Sequence, residues 1–120
     1  MGYLKKRKKA FGYAFKGAGN MMRREPHARI HIFAAILVII AGWVFEISRM
    51  EWCVILLCIA GVLAAEGFNT AIEALADRIT LEKDPLIGYA KDVAAGAVLI
   101  FAIISVIIGA IIFLPRIFGL

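Results

Sequence analysis

Residues 52–77, WCVILLCIAGVLAAEGFNTAIEALAD, run as an uninterrupted apolar segment from Trp52 to Ala65 and then admit Glu66, Asn69, Glu73 and Asp77 into the same hydrophobic background. On a helix turning about 100° per residue these four side chains point to about 0°, −60°, −20° and +20°, with Thr70 beside them at about +40°. One narrow face thus carries the polar groups of this otherwise apolar helix. Ionisable side chains inside a bilayer are costly and rare, and they mark functional positions. A seam of hydrogen bonds between helices would leave the same stripe, although Asn suffices for that purpose and two buried carboxylates cost more.

Two further apolar runs flank this stretch: Ile30 to Ile47, whose one acid, Glu46, lies at its far end, and Val93 to Leu114, which is free of charge. A bilayer core about 30 Å thick needs about 20 helical residues, so three spans fit and little chain remains for a soluble domain. Composition agrees: 62% of the 120 residues are hydrophobic and the mean hydropathy is +0.87, above the roughly half-apolar make-up of soluble domains. The expected fold is an all-α membrane protein forming one domain over 1–120. It comprises an amphipathic interfacial helix over 4–24 and spans over 30–48, 51–76 and 93–115.

Lys5, Lys6, Arg7, Lys8 and Lys9 make a basic start, but no apolar core of sufficient length follows before Arg23 and Arg24, so a cleavable signal is not expected. Phe11, Tyr13, Phe15, Met21 and Met22 interleave with the basic residues, the composition of a helix lying in a headgroup layer, while Gly12, Gly17 and Gly19 weaken it. Basic residues also set the orientation. Those before the first span, with Arg78, Lys83 and Lys91 in the second connection, outnumber Arg49 and Arg116 on the opposite side. The N-terminus and the 77–92 connection are therefore expected in the cytoplasm and the C-terminus outside.

The net charge of +5 gathers on that cytoplasmic side, where it suits anionic headgroups; no nucleic-acid-binding module can be built from these residues. Gly17-Ala18-Gly19 lacks the strand, the helix and the last glycine of a dinucleotide loop, and no Walker sequence occurs. Cys53 and Cys58 are expected to be inert, buried thiols. His27 and His31, four apart, have a spacing that can hold zinc, but no third ligand or HExxH pattern accompanies them and an interfacial role is the plainer reading. Pro26 either breaks the surface helix or starts the first span. That sets Glu25 at the surface near Arg23, Arg24 and Arg29, where a solvated ion pair is the simple reading.

Depth divides the stripe. If the second span starts near Glu51 on the outer side, Glu66 lies about 22 Å inward and Glu73 about 33 Å. Glu66 then sits within the inner leaflet, where burial disfavours a lasting charge and suits it to accepting a proton. Glu73, at the cytoplasmic boundary, suits a hard divalent cation. Lys91, opening the third span beside Asp92, either snorkels or neutralises a polyphosphate. Small residues along the second span and at Ala94 to Ala97 favour close helix contacts, and three spans alone shield Glu66 poorly, so an oligomer is expected.

The run Glu66-Gly67-Phe68-Asn69-Thr70-Ala71-Ile72-Glu73, with Asp77, Ala90-Lys91-Asp92 and Ala95-Gly96-Ala97-Val98 downstream, resembles the signature of the bacterial diacylglycerol kinase family of small integral-membrane lipid kinases. The resemblance extends over nearly the whole chain, including Tyr13, Lys16, Gly17 and Glu25. It implies transfer of phosphate from ATP, with Mg2+, to the hydroxyl of a membrane lipid alcohol, by a homotrimer with sites at subunit interfaces. It further implies Glu66 as catalytic base and Glu25 and Glu73 as magnesium ligands. Tyr13, Lys16, Glu25, Glu73, Asp77, Glu82, Lys91 and Asp92 correspond to ATP-site positions, and Asn69 and Arg7 to supporting ones, with Lys8 the alternative to Arg7. Lys83 and Asp84 depart from the family's loop pattern. Met50-Glu51-Trp52 and the segment from Ile107 to Arg116 look more like the undecaprenol kinase branch than the diacylglycerol one.

The expected location is the cytoplasmic membrane. Two other functions accommodate intramembrane acids: a small oligomeric proton or cation pathway, and a purely structural membrane partner. Neither needs Glu25 together with Lys91 and Asp92 at one boundary.

Overall fold

The computed structural model describes residues 2–119, which fold into four helices: α1 (Gly2–Arg24), α2 (Pro26–Val44), α3 (Arg49–Ile79) and α4 (Pro85–Ile117). The last three are long and apolar enough to cross a membrane. At 1.5 Å per residue α2 measures about 28 Å, close to the hydrocarbon thickness, whereas α3 and α4 reach about 46 and 50 Å. The two long helices must therefore project past the bilayer core. The protein is a multi-pass, all-α membrane protein.

Helix boundaries follow from local chemistry. Pro26 stands at the start of α2, where its missing N–H costs nothing, so the chain turns at Glu25 between surface helix and first span. Asp84 caps α4, its Oδ1 accepting from the N–H groups of Leu86 and Ile87 at 3.0 Å each, with Pro85 in the first turn. This cap starts α4 ahead of the span expected from residue 93, and it gives Asp84 a structural task. Thr80 Oγ1 accepts from Glu82 N–H at 3.0 Å and orders the short link from α3.

The turn between α2 and α3 is the most constrained part of the molecule. Glu46 N–H donates to Trp43 O at 3.4 Å and Ile47 N–H to Gly42 O at 3.2 Å, while Glu46 takes a left-handed φ of 50°. This is a Schellman ending, with Ile47 folded back over Gly42. Ser48 and Glu51 then open α3 as a reciprocal capping box, Ser48 N–H to Glu51 Oε1 at 2.9 Å and Glu51 N–H to Ser48 Oγ at 3.1 Å. Arg116, near the end of α4, closes on the same carboxylate through Nη1 to Oε2 at 2.9 Å and Nη2 to Oε1 at 2.7 Å. One acid thereby joins the start of α3 to the end of α4.

The hydrophobic core lies beside this clasp, built on Ile47, Ile55 and Ile112 with Val38, Trp52, Ile59, Ile108 and Phe113 around them. Trp43 and Trp52 meet edge to face at 6.2 Å, and Phe45 packs on Phe113 at 6.1 Å. Elsewhere large apolar side chains, among them Phe33, Leu57, Phe68 and Val106, are exposed, as expected of helices that face lipid or other helices. Cys53 is exposed and Cys58 half-buried, so Cys53 is not the buried thiol expected from its apolar neighbours. Its position faces outward from the bundle, which hydropathy alone does not resolve.

A Cβ at Gly42 would fall 2.7 and 2.8 Å from the Trp52 ring and 3.1 Å from Ile47. Gly42→Ala is therefore expected to destabilise the protein in detergent by about 1–3 kcal/mol. Glu46→Gly, which relieves the left-handed backbone in the same turn, is expected to stabilise it by about 1 kcal/mol. Thermal unfolding of both variants checks these opposite signs.

Candidate active site

Among the described residues Glu66 is the only buried polar one, with 4% of its surface exposed. It lies midway along α3, and His31 of α2 comes to 3.5 Å from it, Nε2 to Oε2. Counted from the turn that joins their helices, the two side chains lie at comparable depths, about 20 and 26 Å. Comparable depth from that turn is legible in the sequence, but which faces of the two helices meet is not, and the four-residue spacing of His27 and His31 allowed a zinc pair on one helix. Instead His27 is exposed and His31 turns to α3.

The rest of the stripe descends from Glu66 toward the end of α3. Asn69 donates from Nδ2 to Glu73 Oε1 at 3.0 Å, while its own Oδ1 is buried without a partner among the described residues. A side-chain acceptor left unpaired in this way is costly and points to a group supplied from outside these residues. Further down, Asp77 Oδ1 meets Lys91 Nζ at 2.5 Å, joining α3 to the start of α4. Asp92 is exposed beside it. Lys91 also lines a cleft of about 510 Å³ with Glu82, Lys83, Asp84 and Gly88, so the connection and the basic side chain share one opening.

Glu25 looks into a different groove. It is half-buried and lines a space of about 690 Å³ between α1 and α3, with Asn20, Met21 and Arg24 on one wall and Gly67, Thr70 and Ala71 on the other. Gly67 permits this approach, since a Cβ there would stand 3.2 Å from Met21 Sδ. The wall formed by residues 67, 70, 71 and 74 is centred roughly 100° around α3 from Glu73. The chain therefore brings Glu66, Asn69, Glu73, Asp77 and Lys91 onto one side and leaves Glu25 on another. The ion pair considered for Glu25 is not formed among the described residues; Arg29 instead donates from Nη2 to the Arg23 carbonyl.

Arg7, Tyr13 and Lys16 are exposed on α1, where Arg7 stacks 5.1 Å over the Tyr3 ring. No cluster of three or more His, Cys, Asp or Glu occurs among the described residues. The donor set does fit a hard divalent cation: Glu73 keeps one oxygen beyond its contact with Asn69, and Glu25 has no ion-pair partner among the described residues. Closing a site on both carboxylates requires α1 and α3 surfaces from different clefts.

The arrangement offers a shielded carboxylate at bilayer depth and, one to three turns further along α3, polar and charged groups that reach the end of the span. It suits a reaction between a bilayer-embedded group and a charged aqueous reagent.

A model of the family described as prokaryotic diacylglycerol kinase matches residues 12–113, a range that contains every one of these groups except Arg7. The chain is 46% identical over 108 residues to an undecaprenol kinase of Bacillus subtilis, covering 90% of this chain and 88% of that protein. It is 37% identical over 100 residues to a diacylglycerol kinase of Escherichia coli, covering 82% and 81%. A diacylglycerol kinase of Pseudomonas aeruginosa is 32% identical over 94 residues, covering 78% and 76%.

The Asp77–Lys91 pair is well exposed, with 49% and 37% of the side-chain surfaces accessible. Asp77→Asn is accordingly expected to change thermal stability by less than about 1 kcal/mol. A larger loss in detergent unfolding would make the pair a structural clasp instead of a site for ligand charge.

Proposed function

Because the chain belongs to the prokaryotic diacylglycerol kinase family and by that membership is a lipid kinase, we propose that it transfers the γ-phosphate of ATP, with Mg2+, to the hydroxyl of undecaprenol or diacylglycerol. The observation that carries this reading is the buried carboxylate of Glu66, set at the head of a polar stripe that descends to the Asp77–Lys91 pair. Of the two lipids we favour undecaprenol, on the higher identity to the kinase named for it. Both present a single hydroxyl on a long apolar body, so the same machinery serves either.

The lipid alcohol lies in the inner leaflet with its hydroxyl at Glu66. Glu66 takes the hydroxyl proton as the oxygen attacks the γ-phosphorus, and general-base assistance of this kind contributes about 10²–10⁴-fold. Asn69 holds Glu73 in place through its amide, and its unpaired Oδ1 remains free to accept from the substrate or a neighbouring subunit. Lys91, supported by Asp77, faces the polyphosphate, with Tyr13, Lys16, Glu82 and Asp92 around the nucleotide and Arg7 near the headgroups. Glu25 and Glu73 would hold the magnesium ion, which when bound offsets phosphate charge. Phosphoryl transfer depends mainly on such positioning and electrostatics.

The separation of Glu25 from Glu73 around α3 supports a homotrimer in which one protomer's α1 groove meets another's stripe. Exposed apolar faces on α2 to α4 supply surfaces for that contact. We place the protein in the cytoplasmic membrane with its N-terminus in the cytoplasm and its C-terminus outside, which brings the Glu73-to-Lys91 end to the side where ATP is found.

The test is phosphate transfer from ATP by the purified protein to undecaprenol and to diacylglycerol in the same detergent. Transfer to at least one, dependent on Mg2+ and reduced by Glu73→Gln with a raised magnesium requirement, is expected. A protein that phosphorylates no lipid alcohol but conducts ions in liposomes without nucleotide is a cation pathway, and the kinase reading then fails.

A further inference from the structure

A base buried as deeply as Glu66 must give up, on every turnover, the proton it has taken, and the route for that proton is not supplied by the groups assigned above. The Glu66 side chain is 5% accessible, and among the described residues the one ionisable side chain within ion-pair range of it is His31, which is 25% accessible. We propose that His31 is the proton-exit partner of Glu66, receiving at Nε2 the proton that Glu66 has taken from the lipid hydroxyl and releasing one from Nδ1 toward the cytoplasmic headgroup layer. This rests on the reading of Glu66 as the catalytic base.

The step balances without any further reagent. After phosphoryl transfer Glu66 carries the proton on a carboxyl oxygen. The proton moves from Oε2 to Nε2 of a neutral imidazole, leaving carboxylate and imidazolium as an ion pair. Loss of the Nδ1 proton to water then yields a neutral imidazole in the other tautomer. Exchange of its remaining proton restores the starting form. Imidazole suits this task because its charge changes near neutral pH and its two nitrogens separate uptake from release. Chains of ionisable groups of this kind are what proton transfer inside a membrane requires.

The surroundings leave His31 few competing partners. α3 faces it with Glu66 and, across a cavity of about 290 Å³, Cys58; α4 lines that cavity with Ala102, Ser105 and Val106 and brings no charge. α1 has no acidic residue and so offers no counter-charge. His31 lies only five positions beyond Pro26, at the inner end of α2, which places it between the buried acid and the cytoplasmic side.

The experiment measures lipid phosphorylation by the full-length protein in detergent, for wild type, Glu66→Gln, His31→Ala and His31→Gln. His31→Ala is expected to lower kcat by about 10²-fold with the KM for MgATP changed less than about twofold. Added imidazole should restore much of the lost rate in His31→Ala and none in His31→Gln, whose side chain fills the space without carrying a proton. Normal kcat in the His31 variants while Glu66→Gln is inactive overturns the role of His31 alone. Full activity of Glu66→Gln overturns the base assignment and this inference with it. Where His31→Ala does not fold, 15N spectra of the imidazoles in wild type and Glu66→Gln decide. The His31 signals are expected to shift on loss of the carboxylate and those of exposed His27 to stay, and unshifted His31 signals overturn the pairing.

Discussion

A carboxylate inside a membrane helix cannot rely on water for solvation, and the half of this molecule remote from the α2–α3 turn is arranged around that constraint at Glu66. Burial of a lone charge is prohibitive, so the acid needs a polar partner on a neighbouring helix. His31 provides it at 3.5 Å. Below Glu66 the same face becomes steadily wetter: Glu73 is exposed and bound by Asn69, and Asp77 reaches Lys91 across to α4. A single helical face therefore runs from a site suited to proton transfer to one suited to phosphate charge within about three turns.

The half that contains the α2–α3 turn has the opposite character. The Schellman turn at Glu46, the capping box of Ser48 and Glu51 and the two-pronged Arg116–Glu51 contact concentrate hydrogen bonds at one end, beside the isoleucine core. The opposite end, by contrast, has open grooves between α1 and α3 and around the 80–84 link. Regions with few buried apolar contacts open at lower free energy than a packed core. A tightly bonded end and an open opposite end suit the proposed lipid kinase, whose substrates would enter at the open end.

Much of this was legible in residues 52–77, because helical periodicity projects Glu66, Asn69, Glu73 and Asp77 to one face whatever surrounds them. Pro26 at the head of α2 was equally readable from its fixed φ and missing donor. Contacts between helices were not. His31 and Glu66 meet only once the α2–α3 register is known, and Glu51 and Arg116 lie 65 residues apart in sequence. Asp84-Pro85 carried a helix-start signal that the hydropathy of the third span overshadowed, since α4 begins with a polar turn outside the apolar run. Cys53 shows the same limit from another side: an apolar neighbourhood in sequence does not say which face of a membrane helix meets the bundle.

The central claim, that Glu66 is the base in lipid phosphorylation, is tested most directly by the single-turnover rate of phosphate transfer, measured by rapid quenching with MgATP and lipid alcohol both bound. Glu66→Gln keeps the size and polarity of the side chain but cannot take the proton. The account predicts a transfer rate at least about 10²-fold below that of the wild type, with MgATP binding retained. Equal rates in the two proteins would contradict it.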